Sequence, residues 1–170
     1  AVPGLSKIKI VLDKDGSLAE LQKLAQKFDW SLLQPAADEF AAEEVLGCTE
    51  EVHKILNGLA RGHESTVLYA TWGLVKCMLE AVAVQRGLMI VSENRYFELI
   101  QDSVGRDTKW VSVFRTAWGL DSTSSQYQSR GIAALTLYRL TAAMFDGLLS
   151  EKHRDVVKYT LRLIKEAGYQ

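Results

Sequence analysis

Cysteine and proline are both scarce in this chain, with two of each in 170 residues. Two cysteines cannot form the disulfide framework of a small secreted scaffold. A chain of this length can bury about 70% of the surface its unfolded form exposes, so it needs no covalent or metal staple. Cys48 and Cys77 both fall in segments that read as helical and apolar. They are expected as buried free thiols, which fits a reducing cytoplasm. The rarity of proline leaves room for long helices. An excess of one charge is missing too: 20 Lys and Arg face 21 Asp and Glu, for a formal net charge of -1. No overall field would gather nucleic acid or an anionic membrane. A composition 48% hydrophobic and 24% charged excludes disordered and collagenous classes and suits one compact domain.

Chemical signatures are lacking as well. There is no Gly-rich phosphate loop, no His-Glu-x-x-His and no Gly-x-Ser-x-Gly. Asp13-x-Asp15 departs from a calcium loop, which would need Gly at Leu18 and Glu at Leu24. Glu50-x-x-His53 has the spacing of a di-iron ligand pair but lacks a second such pair, so no metal is expected. The apolar run over residues 66–84 is long enough to raise a membrane span. Lys76 and Glu80 interrupt its centre, so it reads as the core helix of a globular domain.

What is present is helical patterning. Lys7 to Leu12 alternates charged and apolar side chains, the period of a strand, and a turn follows at Asp13 to Gly16. Ser17 with Glu20 forms a capping box for a helix to Phe28, on which Leu18, Leu21, Leu24 and Ala25 make one stripe. Pro35 starts a helix over residues 35–60 that turns Phe40, Val45, Leu46, Val52, Ile55, Leu56 and Leu59 inward. Gly47 and Thr49 are placed to bend or split it. Ser65 opens a helix stopped by Gly87, and Ser92 caps a short helix to Ser103. Asp107 or Thr108 caps another, stopped by Gly119. Residues 120–130 read as a Ser-rich loop or a frayed helix start. Two further helices cover residues 132–149 and 150–168, the last with Val156, Val157, Leu161 and Ile164 inward. Trp30, Tyr69, Trp72, Trp110 and Trp118 read mostly as core. The fold class expected is all-α, an antiparallel bundle of five to seven helices with one short N-terminal strand.

Two charged features stand apart from this core pattern. Asp38, Glu39, Glu43 and Glu44 crowd into two turns, and Glu39 and Glu43 share a face at four-residue spacing. Such a face is either solvated or waits for a cation. Lys76 and Glu80 open one stripe of the apolar helix, either as a surface ion pair or toward a cleft. If both features line one cleft, it is acidic and suits a polycationic small molecule.

Leu12-Asp13-Lys14-Asp15-Gly16-Ser17-Leu18, followed by a Lys/Gln-rich helix and then the Glu43-Glu44 helix, resembles the junction in antibiotic nucleotidyltransferases of the kanamycin nucleotidyltransferase type. Later blocks are similar too: Ser65 to Tyr69 opening an apolar helix, Arg86-Gly87-Leu88, and Ser92 before Glu98-Leu99-Ile100. The resemblance covers about the first two thirds of the chain. It implies a helical domain that supplies the acidic wall for an aminoglycoside beside an N-terminal nucleotidyltransferase domain. In that family a Glu of the first long helix serves as general base. Glu43-Glu44 fall on a paired-Glu site of the family and Gly47 falls where its base would be, so Glu43 and Glu44 are weak catalytic candidates. The family's Gly-Ser turn followed by Asp-x-Asp is absent in that order, so ATP and Mg²⁺ would belong to an accompanying domain.

The domain reading follows. Residues 1–16 are a strand and turn, the expected remnant of a junction, because the strand is alone and the first residue is Ala rather than Met; residues 17–170 are the bundle. The expected function is a substrate-binding domain for a cationic small molecule, not catalytic alone. Glu39, Glu43 and Glu44 would be its acidic wall, and Lys76 and Glu80 its floor or its contact with the other domain. The alternative is a non-catalytic helical module that forms a homodimer or holds a partner chain.

Overall fold

The computed structural model describes residues 2–121 and 126–169, and every regular element among them is helical. The helices are α1 (Val2–Lys7), α2 (Ser17–Gln26), α3 (Gln34–Gly47), α4 (Thr49–Arg61), α5 (Glu64–Gln85), α6 (Tyr96–Val104), α7 (Lys109–Trp118), α8 (Tyr127–Met144) and α9 (Glu151–Glu166). Short 3-10 turns at Trp30–Leu33, Glu93–Arg95 and Asp146–Leu148 lead into or out of them. The Ser-rich stretch at 122–125 lies outside the described residues.

The helix α5 is the axis of the bundle. Val67, Ala70, Leu74, Val75, Met78, Leu79, Ala81 and Val82 are all buried, and they point in several directions round the helix. That distribution requires neighbours on most sides, and α3, α4, α7 and α8 supply them. By length and composition α5 could cross a membrane; here its apolar surface is largely covered by the other helices. The helices approach closely where Gly58 of α4 and Gly131 of α8 flank Val67. A methyl group on either glycine would stand 2.7 Å from one of the two Val67 methyls. In contrast α9 is two-faced and presents Val157, Thr160 and Ile164 inward at helical spacing.

Several boundaries follow the sequence signals. Thr108 caps α7 by accepting from the Val111 amide, and Ser150 caps α9 by accepting from the His153 amide. Gly87 takes φ +63° just after α5, and the Leu88 amide returns to the Ala83 carbonyl at 2.9 Å. The Trp30 ring also presses on Gly87, so a side chain there would be strained in conformation and in space.

Other boundaries correct the sequence reading. No strand occurs among the described residues. Residues 2–7 are helical and the segment after them is irregular, with Val11 and Leu12 exposed. Alternation alone makes no ladder without a partner strand. Two carbonyls of this region are instead taken by side chains of α2: Gln22 donates to Ile8 O at 2.7 Å and Gln26 to Ser6 O at 3.2 Å. The N-cap of α2 is Gly16 and no Ser17–Glu20 box forms; Asp13 serves the first turn from outside it. Its carboxylate accepts from the amides of Leu18 and Ala19, while Gly16 turns left-handed between them. The long helix over 35–60 does split, but at Cys48 and without a side-chain cap from Thr49. The ladder continues through the break, from Cys48 N to Glu44 O and from Val52 N to Cys48 O. Val156, expected inward, is exposed, and α8 begins at Tyr127 rather than Ile132.

Candidate functional site

The four acidic residues of α3 do not share one environment. Successive residues of a helix are about 100° apart, so Glu39 and Glu43 stand on one face and Glu44 on the next. The first face turns toward α9. There Pro35, Asp38, Glu39, Ala42, Glu43, Leu148, Ser150 and His153 enclose a concavity of about 350 Å³. Asp38 is fixed within it, because its Oδ1 accepts from Gln34 Nε2 at 2.7 Å and from Gln85 Nε2 at 3.1 Å. Across the pocket Glu43 Oε1 lies 3.4 Å from His153 Nε2, an ion pair whenever the imidazole is protonated. Glu39 is exposed at the rim. Three carboxylates and no lysine or arginine therefore line the hollow.

The other face of α3 meets α5. Glu44 is half-buried beside Cys77, and Lys76 and Glu80 form an i,i+4 ion pair at 3.6 Å, largely open to solvent. Glu80 lines a second groove of about 370 Å³ with Trp30, Phe40, Ala83, Val84, Leu88, Ile90 and Tyr96. Burial, with the Glu80 carboxylate nearby, pushes the Tyr96 phenol up to about 12. The single acidic cleft expected from the sequence is thus two sites on opposite sides of α3. Glu39 and Glu43 line the first with Asp38, Glu80 lines the second, and Glu44 and Lys76 line neither.

The two thiols are neighbours. Cys48 is buried at the break between α3 and α4, Cys77 is half-buried on α5, and both are free. The Cys48 thiol beside it favours the thiolate at Cys77, against the opposing influence of burial and of Glu44 and Glu80. The same contact, with burial, pushes the Cys48 thiol up.

Sequence reasoning missed three parts of these surfaces. His153 has no Glu three residues before it and so no metal-ligand spacing, and nothing local links it to Glu43. Trp30 was read as core, whereas it lines the second groove, with its indole N–H buried and without a partner. Tyr69 and Trp72 were also read as core. They stand 69% and 51% exposed on α5, with ring centres 6.3 Å apart. No group of three or more His, Cys, Asp or Glu among the described residues is arranged to hold a metal ion. Comparison with known protein families, with characterised proteins and with solved structures finds no match.

Proposed function

We propose that this chain is the helical substrate-binding domain of a nucleotidyltransferase-like protein, and that the pocket between α3 and α9 receives the amino groups of a cationic small molecule such as an aminoglycoside. One observation carries the reading: Asp38, Glu39 and Glu43 converge on a single concavity that no lysine or arginine lines. Its volume lies at the lower end of the range of small-molecule sites. Asp38 is held in place by Gln34 and Gln85, so one of the three carboxylates is positioned before any ligand arrives.

Of the two weak catalytic candidates, Glu43 shares the pocket and Glu44 does not, so a base acting on a bound hydroxyl would be Glu43. The chain supplies no phosphate cradle. Nucleotide and Mg²⁺ would be held by an accompanying N-terminal nucleotidyltransferase domain, and Lys76 and Glu80, on the other side of α3, would face that domain. Calorimetry with kanamycin at low salt tests the proposal. Binding should weaken steeply with added salt, and Glu39→Gln with Glu43→Gln should lower affinity at least tenfold, which is about 1.4 kcal/mol. Absence of binding, or binding indifferent to both changes, would sink it.

A second reading rests on a different surface. The exposed Tyr69 and Trp72 pair makes an aromatic patch on α5 of the kind enriched at protein interfaces, which suits a homodimer or a partner chain. Sedimentation of the chain and of Trp72→Ala separates the two readings. A dimer that the substitution abolishes supports the interaction module, and a monomer at all concentrations removes the homodimer.

A further inference from the structure

The packing of α3 and α4 along α5 has a fixed antiparallel register that can be followed residue by residue. Gln85 meets Asp38, Val84 and Phe40 line one groove, and a methyl on Gly73 would stand 3.5 Å from Glu51. Between these points Glu44 touches Cys77. Cys48, one turn beyond Glu44, therefore falls opposite Cys77, and the two thiols meet. The break at Cys48 places it at the end of one helix and the start of the next, with a buried side chain, while Cys77 keeps partial access to solvent.

We propose that Cys48 and Cys77 form a redox-modification site, in which hydrogen peroxide converts the neighbouring dithiol to an intramolecular disulfide. The roles differ because the environments differ. Cys77 is the half-buried sulfur and Cys48 the fully buried one, so Cys77 meets peroxide first. Its thiolate attacks peroxide; the O–O bond breaks, leaving a sulfenic acid on Cys77 and a hydroxide that becomes water. Cys48 then loses its proton and attacks the Cys77 sulfur, forming the S–S bond and breaking the S–O bond, and a second water leaves. Two thiols are oxidised by two electrons in all, and one peroxide is reduced to two waters.

Glu44, Glu51 and Glu80 surround the pair and disfavour a second negative charge there. They would hold back free thiolate while leaving the neutral disulfide untouched. The bond would tie the start of α4 to the middle of α5 across the α4–α5 turn. This site is independent of the acidic pocket, which lies on the other face of α3.

The whole chain, treated with stoichiometric hydrogen peroxide and then denatured and alkylated, is weighed intact. The expected product has lost two hydrogens, carries no alkyl group, yields a crosslinked peptide pair on proteolysis, and returns to two alkylatable thiols after dithiothreitol. Cys48→Ser should instead accumulate a sulfenic acid on Cys77 that dimedone traps. Two alkylatable thiols surviving peroxide in the unmodified chain would overturn the assignment. So would a sulfinic acid on Cys77 beside an untouched Cys48, or a crosslink only between chains. The unmodified chain decides the matter even if the serine variant fails to fold.

Discussion

Val67 is held between two glycines of neighbouring helices, and substitution there tests the bundle directly. Adding a methyl at Gly131 places carbon 2.7 Å from Val67 Cγ1, with Ile55 and Leu59 also within 3.5 Å. Overpacking of this kind costs about 1–3 kcal/mol. The exchange also gains up to about 1 kcal/mol of helix propensity, because Gly131 lies inside α8. The net expectation for Gly131→Ala is a loss of about 1 kcal/mol, or about 2–4 °C in melting temperature for a chain of this size. Gly58→Ala should cost more. Its methyl meets Val67 Cγ2 at 2.7 Å and also the Val67 backbone nitrogen at 3.3 Å, and the backbone cannot rotate away. Val67→Ala alone removes two buried methyl-sized groups, about 1.6 kcal/mol of transfer free energy before any cavity cost. In the double variant Gly131→Ala with Val67→Ala, the new methyl occupies the space the valine leaves. The pair should therefore be about 1–2 kcal/mol less destabilised than the sum of the singles. Urea melts followed by helical circular dichroism measure all four states of the cycle. If Gly131→Ala raises stability by the helix-propensity amount, or if the two effects add without coupling, then α5 and α8 do not approach as described and the core reading fails.

Three other expectations can be checked by the same melts. Tyr138 is fully buried in α8 and its hydroxyl has no partner, so Tyr138→Phe should be neutral or stabilising by up to about 1 kcal/mol, and a clear loss would mean that a partner exists. Thr141→Val leaves the buried Trp110 indole N–H, now 2.8 Å from Thr141 Oγ1, without an acceptor; it should cost about 1–3 kcal/mol, whereas Thr141→Ser should cost much less. Tyr96, pushed up to about 12, keeps its proton in the folded chain at pH values where the unfolded chain loses it, so its contribution to stability falls as pH rises from about 10 to about 12. Tyr96→Phe should flatten that part of the stability profile, and an unchanged slope would refute the assignment.

The sequence carried the helical class, and it located helix ends wherever a local signal acts alone. Thr108, Ser150, Gly87 and Gly119 mark ends because a cap or a left-handed turn is settled within five residues. It failed where the deciding contact is distant. The alternation from Lys7 to Leu12 was read as a strand because local pattern cannot report that no partner strand stands alongside, or that Gln22 and Gln26 reach back to take the carbonyls. Tyr69 and Trp72 were read as core because aromatics usually are, yet both lie on the side of α5 that no helix covers. His153 reaches Glu43 only because α9 returns across α3, a contact between residues 110 positions apart in sequence.

The acidic cluster shows the same division within a single helix. Glu43 and Glu44 are adjacent in sequence and read as one paired-Glu site, but a helix rotates them about 100° apart, and the bundle then places a different neighbour on each side. On the α9 side the carboxylates of Glu39 and Glu43 face the first turn of a 16-residue helix, whose N-terminus favours negative charge. Part of their reason for being there is therefore to complement α9. A cation entering the pocket must compete with that field, which is why Asp38, fixed by two amides and not by the α9 terminus, is the carboxylate best placed to add net attraction. On the α5 side Glu44 is half-buried beside the Cys77 thiol, where its charge disfavours the thiolate. The residues that share an environment are thus those on a common face, four apart, and not those that stand side by side in the chain.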